Sequence, residues 1–400
     1  MKTILSGGWG YGNMGDEAIL FCTMNLLKIY NKKKENDIIV TTYNPKQTSS
    51  FIKSECIYSL HYILYNDKIK CRQIVIELED WLNKNGKITN ENLVKYIGKF
   101  KEANRFIMAG GGYYNDIWYD NFLAHNLEIR IANKLGVKVL LLNQTLGPIN
   151  NKKNRLIFSK LAESIDFINV RDKQSMDLIN SLIDEEVELS GDVVNAISIF
   201  KQRYKYDSKP QIGIMIQHYR PYTNIEDSNL KLTIKKYFYK FINKEKSYIK
   251  KLKKIVETVG NNIDCEFKFI SSTDWDVDIC KKVSESLNSN IKSTFSFSYD
   301  VNEFISSISS CDLMFSTNMH PIIIASSYRI PSVAISYFYK IDDYMDSIGM
   351  SDYTHNIQNF DENKIIKQIL CLLKNPSKGN IIFDKVNLIN RKLINLYEEI

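Results

Sequence analysis

Along this chain short apolar runs alternate with longer segments of helical period from one end to the other. Apolar runs too short for helices, set between amphipathic segments, mark βαβ units feeding a parallel sheet. In the first half the pattern predicts strands over 2–6, 37–42, 105–109, 138–143 and 166–170, with helices over 16–29, 121–135, 154–163 and 173–182. A polar stretch, 201–211, interrupts the alternation. It restarts with a strand over 212–216 and continues with strands over 266–271, 312–316 and 332–336, helices lying between and after them. From Asp361 onward the chain reads as helical.

A chain of 400 residues exceeds the roughly 250–300 at which one hydrophobic core stops growing. The expected division is an N-terminal Rossmann-like domain over 1–200, a second over 211–360 and a helical tail over 361–400. The fold class is therefore α/β, two Rossmann-like domains facing a cleft, the architecture called GT-B in glycosyltransferases. Ligands of such sheets bind at the C-terminal ends of the strands.

Hydrophobic residues at 44% and charged residues at 25% are ordinary globular proportions. The net charge of +7 could favour an anionic substrate, nucleic acid or a membrane face, and diffuse surface lysine accounts for it equally. No recognised nucleic-acid-binding motif accompanies the basicity, so no nucleic-acid partner is expected. The seven cysteines are scattered without a CxxC pair or metal-ligand spacing, which reads as reduced thiols of an intracellular protein with no metal site. The N-terminal apolar stretch breaks at Gly7-Gly8, too short for a signal peptide. Nowhere do about 18 apolar residues run together, so a cytoplasmic protein is expected. One segment stands out: between Lys231 and Lys254 ten lysines share a helix-like stretch with Ile234, Tyr237, Phe238, Phe241 and Ile249. Such a helix can lie on an anionic membrane at the inner face or form a solvated face.

Candidate chemistry sits where strands run into turns. The first strand leads into Gly7-Gly8-Trp9-Gly10-Tyr11-Gly12-Asn13-Met14-Gly15-Asp16-Glu17, a glycine-rich turn that suits either close approach of a ligand anion or a plain turn with Asp16 as helix cap. Gly110-Gly111-Gly112 follows a second strand, and Asn143-Gln144-Thr145-Leu146-Gly147-Pro148 a third. Arg171-Asp172 ends another, where Arg171 either contacts a substrate anion or pairs with its neighbour. In the second half Gln217-His218-Tyr219-Arg220 follows the strand over 212–216, and the planar fork of Arg220 matches carboxylate or phosphate. The most informative turn is Ser316-Thr317-Asn318-Met319-His320-Pro321. Pro321 fits the first helical position, which places His320 at a helix N-terminus, open to the cleft, able to donate a proton or hold a phosphate. Lys340 is expected in the loop after the strand over 332–336, as a point charge for phosphate.

The order of these motifs resembles the polysaccharide pyruvyltransferase family: Asn13, Gly15, Asp16 and Glu17, then Gly110-Gly111-Gly112, Gly147-Pro148, Arg171-Asp172 with Ser175, Asp192, the Asn-Met-His turn and Tyr337 with Lys340. The correspondence runs from about residue 3 to residue 350. The resemblance implies a GT-B-like fold, phosphoenolpyruvate as donor, and as acceptor a sugar diol on a lipid-linked or polymeric glycan of a capsule or cell envelope, with no cofactor. It implies His320 as the catalytic histidine of an Arg-Leu-His turn whose arginine is replaced here by Asn318. Arg220, Lys340, Asn318 and Ser316 then fall on the donor side, and Asn13, Asp16, Glu17, Gly111, Gly112 and Arg171 on the acceptor or cleft side. The alternative is a glycosyltransferase of the same architecture, since His320-Pro321 also resembles the phosphate-contacting turn of some transferases that use cytidine-monophosphate sugars. Against it, no glutamate lies between Glu303 and Glu362, where many nucleotide-sugar enzymes carry a pair.

Overall fold

The computed structural model describes residues 2–67, 70–184, 187–203, 209–220, 244–375 and 377–400. They form two units: those within 2–11, 19–193 and 394–400 make the first, and those within 12–18 and 194–393 the second. The division falls ahead of the expected 201–211 stretch, and the segment 12–18 belongs with the second unit.

The first unit is built on a seven-stranded sheet of β1 (Lys2–Ser6), β2 (Ile38–Thr42), β3 (Glu55–Tyr58), β4 (Ala103–Ala109), β5 (Lys138–Gln144), β6 (Phe167–Val170) and β7 (Glu188–Leu189). Its order is β3-β2-β1-β4-β5-β6-β7, and every pairing is parallel. Register aligns Ile4 with Ile39 on one side and with Phe106 on the other. Interior strands of a parallel sheet are covered on both faces and so read as unbroken apolar runs. Accordingly Ile4, Leu5, Ile39, Phe106, Met108, Val139 and Leu141 are fully buried or nearly so. Helices Leu60–Tyr65, Cys71–Lys84 and Glu91–Lys101, inserted between β3 and β4, add Leu64, Leu78, Tyr96 and Phe100 to the same core.

The second unit carries β8 (Gln211–Met215), β9 (Glu266–Ile270), β10 (Ser293–Ser296), β11 (Leu313–Ser316), β12 (Ser332–Ser336) and β13 (Thr354–Asn356). Their order is β10-β9-β8-β11-β12-β13, again with every pairing parallel. Both sheets follow the Rossmann order, whose direction of winding reverses once, leaving a crevice at the strand C-termini. The reversal lies between β1 and β4 in the first unit and between β8 and β11 in the second.

Of the basic segment from Lys231 to Lys254, positions 231–243 lie outside the described residues. The remainder belongs to helix Lys244–Asn262, whose apolar face (Tyr248, Leu252, Ile255, Val256, Val259) is buried in the protein. Lys251 and Lys254 both pair with Glu362. Among the described residues no helix is long and apolar enough to cross a membrane. All seven cysteines are free.

Candidate active site

In the second unit Asn13 sits just ahead of helix Met14–Ile29. Its Oδ1 accepts from the Gly15 N–H at 3.0 Å and its Nδ2 donates to Asp16 Oδ2 at 2.8 Å. The capping residue is thus Asn13, and Asp16 lies inside the first turn. The Met14 N–H donates to the Ser272 carbonyl, 2.9 Å away, beyond the end of β9.

The turn after β11 is fixed from within. Ser316, fully buried, accepts the Asn318 N–H at 2.9 Å and donates to the Asn318 carbonyl at 2.8 Å, so its hydroxyl shapes the turn. Thr317 Oγ1 accepts the Gln217 N–H at 2.9 Å and Gln217 Nε2 donates to the Thr317 carbonyl at 3.0 Å, tying the β8 and β11 loops together across the reversal. Asn318 Nδ2 donates to Ser272 Oγ at 3.1 Å. The helix begins at Met319, making Pro321 its third residue and not its first. The missing N–H still costs nothing, because the first four amides of a helix lack intrahelical acceptors.

His320 therefore stands in the first turn. Its ring is half-buried with Nε2 shielded from solvent, which corrects the expectation of an open imidazole. The ring rests on Gly15: a methyl group there would come within 2.1 Å of Nδ1.

Arg220 follows β8 and is half-buried. It acts electrostatically on Asp276, which is 4% exposed and accepts from Thr273 Oγ1 at 3.0 Å. Burial pushes the Asp276 carboxyl up, and the Arg220 charge opposes that shift. His218 lies between Glu245, 3.1 Å from Nδ1, and Asp278, 2.7 Å from Nε2. Lys340 stands in the first turn of helix Tyr339–Ser347, not in a loop, its ammonium 5.4 Å from the Phe338 ring centre. The neighbouring strands β9, β8, β11 and β12 thus lead in turn to Asp276, Arg220, His320 and Lys340.

The first unit treats its predicted residues differently. Gly110 and Gly111 have φ of +52° and +89°, a region L side chains rarely adopt. An added methyl group would strike Ile19 Cγ2 at 2.4 Å or the Tyr113 ring at 2.5 Å. Packing accounts for both glycines, and the Gly112 carbonyl accepts from Asn115 Nδ2. Glu17, in the segment 12–18, is fully buried. Arg171, its side chain 5% exposed, donates through Nη1 to Asp192 at 2.6 Å and through Nε to Thr145 Oγ1 at 2.7 Å. Asp172 caps helix Lys173–Asn180 through the Ser175 N–H at 2.9 Å. Arg171 thus pairs closely with Asp192 and not with its neighbour Asp172, whose Oδ2 lies 4.0 Å from Nε.

Sequence reasoning passed over a second polar cluster. On helix Tyr119–Lys134, Glu128 is buried and accepts from Tyr96 Oη at 2.6 Å and Ser6 Oγ at 3.1 Å, while its Oε2 lies 2.8 Å from His125 Nδ1. His61, nearby, is pushed down to about 4, first by burial and then by His125. The available signal was the His-x-x-Glu spacing, which puts both side chains on one helix face, in a segment whose apolar periodicity fails. Among the described residues no group of three or more His, Cys, Asp or Glu side chains is arranged to hold a metal ion.

Two Rossmann-ordered units joined in one chain define a GT-B-like α/β protein. Its fold matches the UDP-GlcNAc 2-epimerase from Neisseria meningitidis bound to UDP-GlcNAc, with a TM-score of 0.58 at 13% identity over 99% of this chain and 100% of that one. It also matches a putative UDP-N-acetylglucosamine 2-epimerase from Listeria monocytogenes, with a TM-score of 0.59 at 12% identity over 98% and 95%. Identities this low establish the fold alone. The chain belongs to the polysaccharide pyruvyl transferase family, whose pattern it matches over residues 13–337. The amylovoran biosynthesis protein AmsJ of Erwinia amylovora is 19% identical to it across 94% of this chain and 92% of that protein. The chain is accordingly a transferase acting on polysaccharide.

Proposed function

We propose that the protein transfers the pyruvyl group of phosphoenolpyruvate to two hydroxyls of one sugar in a surface-glycan precursor, forming a cyclic ketal and releasing phosphate. The observation that carries this reading is His320, the residue that the resemblance makes the catalytic histidine, which stands after β11 in a helix first turn on the rim that also bears Arg220 and Lys340. Two cations suit a donor with one carboxylate and one phosphate, and the Met319–Ser327 helix start adds positive potential.

In the scheme, His320 gives a proton to the donor's methylene carbon, which becomes a methyl group as the first sugar hydroxyl bonds to the central carbon and releases its own proton to water, from which His320 is reprotonated. The second hydroxyl then bonds to the same carbon, the C–O bond to phosphate breaks, and the phosphate leaves with the second hydroxyl's proton. The cationic groups oppose the charge that collects on the departing phosphate. No metal or cofactor enters this scheme, and its setting is the cytoplasm, where phosphoenolpyruvate is made.

Transfer of a sugar from a nucleotide donor is the second reading, favoured by His320-Pro321 and by the neutral Asn318 where the family has arginine. A thermal-shift comparison separates the two, because a ligand stabilises the state it binds. Phosphoenolpyruvate raises the melting temperature on our reading, and cytidine-monophosphate or uridine-diphosphate sugars do not. A rise with a nucleotide sugar and none with phosphoenolpyruvate replaces it.

A further inference from the structure

The first unit holds a row of aromatic rings that the donor chemistry does not use. Tyr43, after β2, packs against His61 with ring centres 5.3 Å apart, and His61 against Tyr65 at 4.8 Å. The planes are tilted by 51° and 43°, so the rings form a wall with no parallel-sided slot for a flat base. His125 acts electrostatically on His61, and Tyr113 covers the His125 ring at 4.7 Å. His125 is 5% exposed, yet its Nε2 has no hydrogen-bond partner among the described residues and is not sealed from solvent.

The Glu128 carboxylate gives that nitrogen a defined role. With Oε2 opposite Nδ1 at 2.8 Å, the neutral ring would carry its proton on Nδ1 and its lone pair on Nε2. Glu128 is itself held by Tyr96 and Ser6, so the imidazole cannot swing. A fixed acceptor beside tilted aromatic faces matches a pyranose, whose C–H face lies on rings while its hydroxyls reach polar atoms.

We infer that Tyr43, His61, Tyr65, Tyr113 and the Glu128-held His125 form the sugar subsite of the acceptor, with His125 Nε2 accepting a hydrogen bond from a sugar hydroxyl. The inference rests on the reading of the chain as a transferase to a sugar. It moves acceptor recognition away from Arg171 and Glu17, which are engaged or buried inside the protein.

Saturation-transfer NMR on the full chain, with methyl glycosides of galactose, glucose, mannose and N-acetylmannosamine as probes, tests it without any donor. At least one glycoside receives saturation on its ring protons. Binding weakens about tenfold, roughly the loss of one good contact, in Tyr43→Leu, Tyr65→Leu and His125→Gln at unchanged melting temperature, and persists in Tyr43→Phe. Tyr58→Ala, in a separate stack with Tyr62, leaves it unchanged. The inference is overturned if no glycoside is saturated, if cytidine or uridine is saturated instead, or if every folded variant binds as the parent does. A separate assay of phosphate release from phosphoenolpyruvate tells the two ideas apart: glycoside binding here without donor consumption retires the donor and leaves the subsite standing.

Discussion

The two sheets share one strand order and carry opposite chemistry at their rims. In the second unit, neighbouring strands lead to Arg220, His320 and Lys340, with the buried Asp276 beside Arg220. In the first unit, the one arginine expected at the rim is locked to Asp192, the glycines are dictated by packing, and tyrosines and histidines take the remaining ground. Identical topology therefore positions a ligand without choosing it. Choice comes from which side chains remain available once the loops have satisfied their own backbone.

The sharpest way to break this comparison is at His320. His320→Gln keeps similar bulk, so folding stability should change by about 1 kcal/mol or less, while turnover should fall by roughly 10²–10⁴ if the imidazole is a proton donor. Near-normal turnover in a folded variant would remove it from the chemistry.

A smaller effect is expected at Gly15. It lies in the first turn of helix Met14–Ile29 with ordinary helical φ, where alanine normally stabilises by about 0.5–1 kcal/mol. Here the added methyl group meets His320 Nδ1 at 2.1 Å and must displace the ring. Gly15→Ala should keep its melting temperature within a few degrees and lose about 10–100-fold in rate, the scale of a catalytic group misplaced by an ångström. Donor binding measured by thermal shift should persist, and full activity would show that the ring tolerates the move.

The smallest effect belongs to the aromatic rim. The His61 imidazole is pushed from 6.5 to about 4, so between those pH values the unfolded chain binds more protons than the folded one. Stability is then lost as pH falls through that window and is unaffected by this group above it. The melting temperature of the parent should drop more between pH 6.5 and 4 than that of His61→Gln; equal slopes would mean that the ring protonates freely.

Interior strands were legible because burial on both faces leaves an apolar run: 2–6 and 332–336 were placed to the residue, and 105–109 and 138–143 to within two residues at either end. The four strands not foreseen, β3, β7, β10 and β13, all lie at sheet edges. Glu55–Tyr58 and Ser293–Ser296 are only half covered, and Glu188–Leu189 and Thr354–Asn356 are two and three residues long, so no pattern distinguishes them from loop. Much the same holds for side chains. Turns announced His320 and Arg220, because Gly, Asn and Pro punctuate strand ends. The Glu128–His125 pair lies mid-helix, in a segment buried on every side, where a polar residue signals nothing until its partners Tyr96 and Ser6 arrive from elsewhere in the chain.

The clasp that Ser316 makes on both backbone groups of residue 318 has an evolutionary consequence. It uses only the N–H and carbonyl of that position, so any side chain there can keep the clasp, whereas the bond to Ser272 Oγ is particular to the amide. A charged residue could therefore replace the amide at 318 without loss of the clasp itself. On the proposed reading of Asn318 as a donor-side residue, single substitutions at 318 would alter donor preference without rebuilding the scaffold around it.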